Sequence, residues 1–197
     1  MDDKSDQRHQ HAGKSSKSFF NAGEVLDEIG LTNGDSFLDV GCGDGYFSLA
    51  ASKIVGNEGK VYAVDNYEES IAELKVQIDQ GNIANIQTIV ADVTKNVPLP
   101  DGIIDVCLMA NVLHGFAANA EIESCMSEIA KVIRPGGTLT IVDFKKISGS
   151  PGPPISIRLT PQKTEELVTP YGFQRKLVVD VGQYHYAVIL CKASAQP

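Results

Sequence analysis

Apolar residues first recur at helical spacing at Ala22, Val25, Leu26 and Ile29, which predicts a short amphipathic helix closed near Gly30. The period then changes. Ser36-Phe37-Leu38-Asp39-Val40 reads as a buried strand running into the turn Gly41-Cys42-Gly43-Asp44-Gly45. Phe47, Ala50, Ala51 and Ile54 next share one helical face, with Gly56 at its end. Residues 60–64 are β-rich and stop at Asp65, where Asn66 followed by Glu69 has the spacing of a capping box. That box opens a helix with Ile71, Leu74 and Ile78 inward and Gly81 as C-cap. Strands are predicted over 86–90, ending before Asp92, and over 105–110, ending at Asn111. Residues 119–134 are expected to form the longest helix, with Ile122, Cys125, Met126, Ile129 and Ile133 on its core face and Pro135-Gly136-Gly137 as its stop. A fifth strand follows over 138–144. Residues 145–159, with Gly149, Gly152 and three prolines, form a long irregular loop. Thr160-Pro161 is an N-cap with proline in the first helical position. Two β-rich segments, 173–181 and 184–191, meet at Gly182-Gln183 and predict a hairpin. Residues 1–18 show no period and are expected to be a flexible arm, with 19–197 as one domain.

Strands alternating with helices require a mostly parallel sheet covered on both faces. The fold class is therefore α/β: a Rossmann-like, doubly wound, seven-stranded sheet with an antiparallel C-terminal hairpin strand. The 197 residues fit one domain, and 43% hydrophobic with 21% charged residues is ordinary globular usage. Seventeen Lys+Arg against 25 Asp+Glu give a net charge of −8, which argues against nucleic acid as the partner. No apolar run approaches the ~20 residues of a membrane span. The N-terminus lacks the apolar core of a secretory signal, so a soluble cytoplasmic protein is expected. Cys42, Cys107, Cys125 and Cys191 form no CxxC pair, and three of them sit in apolar segments as small hydrophobes. His9 and His11 in the arm have two readings, a metal site completed by His114 or His185 and an arm that orders over a bound cofactor. The second is preferred, and no metal site is assigned.

In such sheets ligands bind outside the carboxyl ends of the strands, at the switch point. The polar residues at those ends are Asp39, Asp65, Asp92 and Asn111. Gly41, Gly43 and Gly45 spell GxGxG, which permits close backbone approach, but Tyr46 stands where a dinucleotide fingerprint needs its third glycine. An NAD-dependent oxidoreductase is disfavoured on that ground. Asp65 suits a bidentate grip on ribose hydroxyls and Asp92 can accept from an adenine amine. Asp44 is placed to cap the helix starting at Tyr46.

These residues resemble a known family. Phe37-Leu38-Asp39-Val40-Gly41-Cys42-Gly43-Asp44-Gly45 is similar to the first motif of class I S-adenosylmethionine-dependent methyltransferases. Val61-Tyr62-Ala63-Val64-Asp65 resembles the ribose-binding motif, and Ala91-Asp92-Val93 the adenine-contacting one. Leu99-Pro100-Asp101-Gly102, Ala110-Asn111-Val112-Leu113-His114 and Arg134-Pro135-Gly136-Gly137 resemble the stretches around the fourth and fifth strands. Within the family, the small-molecule enzymes of the ubiquinone/menaquinone-biosynthesis and arsenite types are most similar. The resemblance implies S-adenosyl-L-methionine as cofactor, with Gly41, Cys42, Gly43 and Gly45 at its methionine part. Asp39 would orient that turn or meet the ammonium group. Asp65 would bind the ribose, Asp92 and Val93 the adenine, and Asn111 would lie beside the sulfonium. Asn66 would contact the adenine edge or serve as a helix cap.

Methyl transfer from a sulfonium needs alignment and exclusion of water, and a base only where the acceptor is protonated. His114 is the candidate base; its other reading is a loop histidine packed on the adenosine or capping the backbone. The scattered cysteines speak against a thiolate cage for arsenic. Tyr184, His185 and Tyr186 alternate faces and are candidates for a pocket wall or for sheet packing. Lys145, Lys146 and Arg158 bracket the long loop and have two readings, a site for a small-molecule acceptor that is anionic and a set of solvated surface cations. A non-catalytic cofactor-binding regulatory module is the other reading of the same motifs.

Overall fold

The computed structural model describes residues 16–194. Seven strands form one sheet: β1 (Ser36–Val40), β2 (Lys60–Asp65), β3 (Ile86–Val90), β4 (Ile104–Ala110), β5 (Ile133–Phe144), β6 (Phe173–Val181) and β7 (His185–Lys192). Their order is β3-β2-β1-β4-β5-β7-β6. β7 is antiparallel to both neighbours, β5 and β6, whereas β1 through β5 pair in parallel. The helices are α1 (Ala22–Glu28), α2 (Tyr46–Val55), α3 (Glu68–Gly81), α4 (Leu113–Ala118), α5 (Ile122–Val132) and α6 (Pro161–Val168).

Strand periodicity sorts the core onto two faces. Phe37, Val61, Val106, Leu108, Val142, Ala187 and Ile189 pack with Val25, Leu26 and Phe47 of α1 and α2. Their chain neighbours Leu38, Cys107, Met109, Ile141 and Val188 turn the other way, toward Leu113, Met126, Ile129 and Val168 of α4, α5 and α6. Both faces of the central strands are dry, as a parallel sheet demands. The chain winds outward from β1 to β3 and restarts at β4, so β1 and β4 part at their carboxyl ends. No helix among the described residues is long and apolar enough to cross a membrane.

Several expectations need correction. The stretch 119–134 is not the longest helix; α3, with 14 residues, is longer than α5 with 11. α5 starts at Ile122 because Ala120, at φ 58°, breaks the chain between it and the separate helix α4. At its other end Ile133 is already extended, at φ −75° and ψ 131°, so the fifth strand begins there, before the Pro-Gly-Gly turn. The irregularity that this turn causes is absorbed as a register shift against β4. Asn66 caps nothing: Tyr67 precedes α3 without a side-chain cap, and the left-handed C-cap is Asn82, one residue beyond Gly81. Residues 16–18 of the expected arm form a 3-10 turn. His9 and His11 lie outside the described residues. Thr160 caps α6 as expected, its hydroxyl accepting from the Lys163 amide at 3.1 Å.

Candidate active site

The turn after β1 is built by backbone that only glycine tolerates. Gly41, Gly43 and Gly45 have φ of 69°, 51° and 80°, all left-handed. A Cβ on Gly41 would stand 2.6 Å from Val112, and one on Gly45 2.3 Å from Leu74. The turn is therefore pressed between the end of β4 and α3. The Gly41 and Cys42 amides donate to the Val64 carbonyl, and the Gly43 amide donates to Asp65 Oδ2 at 2.9 Å. Asp44 Oδ1 accepts from the Tyr46 amide at 3.2 Å, the capping role expected of it.

The three strand-end acids differ in environment. Asp39 is 2% exposed and accepts a 2.6 Å bond from the Ser48 hydroxyl on α2. Burial pushes its carboxyl up to about 7, with the nearby charge of Asp65 adding to the rise and the Ser48 bond opposing it. A charge held there calls for a cationic partner. Asp65 spans two turns, with Oδ2 on the Gly43 amide and Oδ1 on the Tyr67 amide, each at 2.9 Å. Asp92 accepts from the Thr94 hydroxyl and amide and pairs with Lys95 at 3.0 Å, which holds its carboxyl below the usual range. Cys42 is a buried thiol that burial and the charge of Asp39 push upward, so it is no thiolate nucleophile.

Across the switch point, Asn111 sits at φ 61°, an unusual value for a non-glycine residue. Its Nδ2 donates to the Ser16 hydroxyl at 3.1 Å, while its Oδ1 is buried without a partner among the described residues. One turn on, His114 is 6% exposed and its Nδ1 lies 2.8 Å from Asp143 Oδ1. Asp143 Oδ2 accepts from the His114 amide at 3.2 Å and Oδ1 from the Phe144 amide at 2.8 Å. Sequence reasoning missed Asp143. The signal was present, because an acid inside the apolar run of the fifth strand needs a partner.

These groups line one cavity of about 400 Å³. Asp39, Gly41, Cys42, Gly43, Asp65, Asn66, Asp92, Val93, Asn111 and His114 all border it. Gly45 does not: it is the left-handed residue before α2 and serves the turn alone. The aromatic rings of Phe19, Phe116 and Phe144 and the loop residues Pro151 and Pro153 complete the wall. The segment before α1 is held over the site. Tyr46 donates its hydroxyl proton to the Phe20 carbonyl at 2.8 Å and accepts from the Ala22 amide at 3.1 Å. Behind it, His185 is wholly buried among Phe19, Phe20 and Phe144, and neither ring nitrogen has a hydrogen-bond partner among the described residues. Burial pushes its basicity down to about 4.

The cationic bracket of the long loop does not border the cavity, whose lining includes none of Lys145, Lys146 and Arg158. Arg158 is 3% exposed and donates to the carbonyls of Pro153, Lys145, Ile147, Ser150 and Pro151 and to the Ser150 hydroxyl. Its guanidinium also lies 5.3 Å from the Phe144 ring centroid. Lys145 pairs with Asp180 at 3.0 Å, and Lys146 borders a separate groove. Arg158 is the knot that folds the loop, because an arginine fork can satisfy many carbonyls that a proline-rich turn leaves unpaired.

The family described as Methyltransferase domain matches residues 31–170. The chain belongs to this family. A solved S-adenosylmethionine-dependent methyltransferase from Aquifex aeolicus is 30% identical, with a TM-score of 0.83, over 92% of this chain and 95% of that one. The ubiquinone/menaquinone biosynthesis C-methyltransferase UbiE of Azotobacter vinelandii is 29% identical over 64% of this chain and 49% of its own length. The methyltransferase domain thus spans about half the length of the curated relatives it matches. The [4+2]-cyclase SpnF, at 16% identity and a TM-score of 0.73, shares the fold alone.

Proposed function

We propose that this methyltransferase domain transfers the methyl group of S-adenosyl-L-methionine to a small-molecule acceptor. The observation that carries the reading is the row of acids Asp39, Asp65 and Asp92 at the ends of neighbouring strands, gathered with the glycine turn around one cavity. The groups fit that cofactor. Asp39, buried and without a cationic partner among the described residues, would meet the ammonium of the methionine part, and the orphaned Asn111 Oδ1 would accept from the same end. Asp65 retains acceptor sites beyond its two backbone bonds, enough for ribose hydroxyls. Asn66, Asp92 and Val93 would border the adenine.

When bound, the cofactor supplies an electrophilic methyl carbon on a sulfonium that is already a good leaving group. The chain's task is alignment, worth on the order of 7–11 kcal/mol of barrier in well-oriented systems. The pinned Phe19–Phe20 segment and the Arg158-knotted loop border the cavity and would limit the access of water to a bound cofactor. The acceptor reaches a wall made by a loop of this same chain, which supports a small molecule. The names of the solved and curated relatives support the cofactor and the reaction class.

Calorimetry with S-adenosylmethionine, S-adenosylhomocysteine and NAD tests the reading. Binding of both sulfur ligands is expected, with no binding of NAD, since Tyr46 is fixed at the place of the third glycine. NAD binding without either sulfur ligand would overturn it. S-adenosylhomocysteine release across thiols, phenols, quinol precursors and amines separates an enzyme from a binding module.

A further inference from the structure

His114 and Asp143 form the one buried His–carboxylate pair among the described residues, and one end of it opens into the cavity. We propose that His114 Nε2 takes the proton from a phenolic acceptor, with Asp143 as the positioning residue that sets its tautomer. The proposal rests on the methyl-transfer reading above.

The argument starts from donors and acceptors. Asp143 receives the His114 amide, the Phe144 amide and His114 Nδ1, and a carboxylate can only accept. Nδ1 therefore carries a proton, and in the neutral ring the lone pair is left on Nε2. Nε2 has no hydrogen-bond partner among the described residues, and the residue lines the cavity. The cavity that His114 borders also has apolar, flat-sided residues in its wall: Phe19, Phe116, Phe144, Pro151 and Pro153. An ammonium acceptor would lose its hydration against such a wall. A thiol ionises readily and needs little help. A phenol enters neutral, lies flat against rings, and holds its proton at neutral pH, as the tyrosine side chain does with a pKa of about 10. As its oxygen bonds to the methyl carbon, the carbon–sulfur electron pair stays with sulfur and the hydroxyl proton passes to Nε2. Asp143 stabilises the imidazolium until water removes that proton. His185 on β7 is the other titratable group near the pair, and Arg158 and Lys145 act on it from the loop.

The test uses the protein loaded with S-adenosylhomocysteine and titrated with 4-nitrophenol, whose ionised form absorbs visible light. The bound dye should ionise at lower pH than the free dye. In His114→Gln and in Asp143→Asn that shift should vanish, with S-adenosylhomocysteine affinity by calorimetry unchanged. Nitrogen NMR of histidine-labelled protein should show Nδ1 protonated in the wild type, a readout that holds even where Asp143→Asn does not fold. Absence of dye binding, a shift that survives in His114→Gln, or an Nε2-protonated ring would overturn the proposal. If the wild type fails to bind S-adenosylhomocysteine, the methyl-transfer reading itself falls.

Discussion

Replacing Arg158 by Met keeps the aliphatic stem and deletes the fork around which residues 145–158 are wrapped. Six hydrogen bonds disappear, five of them to backbone carbonyls. Bonds to a charged group contribute ~1.5–3 kcal/mol each, but they do not add, and exposed carbonyls recover water. Pro151 and Ile147 lie at the surface and regain most of that loss, whereas Pro153 is buried and its carbonyl is stranded. The contact with Phe144 is lost as well. The net cost should be about 3 kcal/mol, the upper end for a stranded buried acceptor, because the other carbonyls recover only part of their loss. For a chain of this length that is a fall in Tm of roughly 6–12 °C. Thermal and denaturant unfolding measure it, and hydrogen exchange should show the loop amides opening while α2 and β1 stay protected. Lys146→Met, at an exposed position, should change neither. An unchanged Tm in Arg158→Met would show that the loop is held by its prolines and that the guanidinium is incidental.

Asp65→Ala removes the acceptor for the Gly43 and Tyr67 amides as well as the ribose partner, so S-adenosylhomocysteine affinity should fall roughly tenfold to a hundredfold or more by calorimetry, with the far-UV signal retained. Asp39, raised from 3.8 to about 7, binds its proton more tightly in the folded state. Its contribution to stability is complete below the ordinary carboxylate range and is lost as pH rises to about 7, and Asp39→Asn should flatten that slope in denaturant titrations. Its charge should also make S-adenosylhomocysteine binding strengthen as pH rises through about 7, and the variant should not show this. His185, lowered from 6.5 to about 4, has the opposite sign: its stability is present above 6.5 and lost as pH falls to about 4. His185→Leu should remove that acid-side loss and hold its own at neutral pH, because no hydrogen bond is broken.

What could be read in the sequence was whatever repeats or obeys a period. The alternation that placed Phe37 and Leu38 on opposite faces also placed Asp39, Asp65 and Asp92 at neighbouring strand ends, and the site follows from those positions. The break at Ala120 was hidden, since a left-handed alanine has no sequence signature, so the expected helix began at 119 instead of Ile122, and the short α4 before it was not foreseen. Arg158 was misread because a cation in a Pro-Gly loop is ordinarily solvated; its burial depends on carbonyls that only the folded loop turns inward. Asp143 was legible as an anomaly, an acid flanked by Val142 and Phe144, but its partner is 29 residues away and emerges only from the pairing of β5 with its neighbours.

The position of β7 between β5 and β6 imposes an order on folding during synthesis. β6 leaves the ribosome first and has no strand to join, because its only partner has not been made. Meanwhile the 12-residue β5 presents an open edge, and that edge carries Asp143 and Phe144. Such an edge recruits other chains, so the nascent protein is vulnerable until residues 185–192 appear and both edges close at once. A chain cut within β7 would therefore keep its five parallel strands but leave the β5 edge open and β6 without a partner strand.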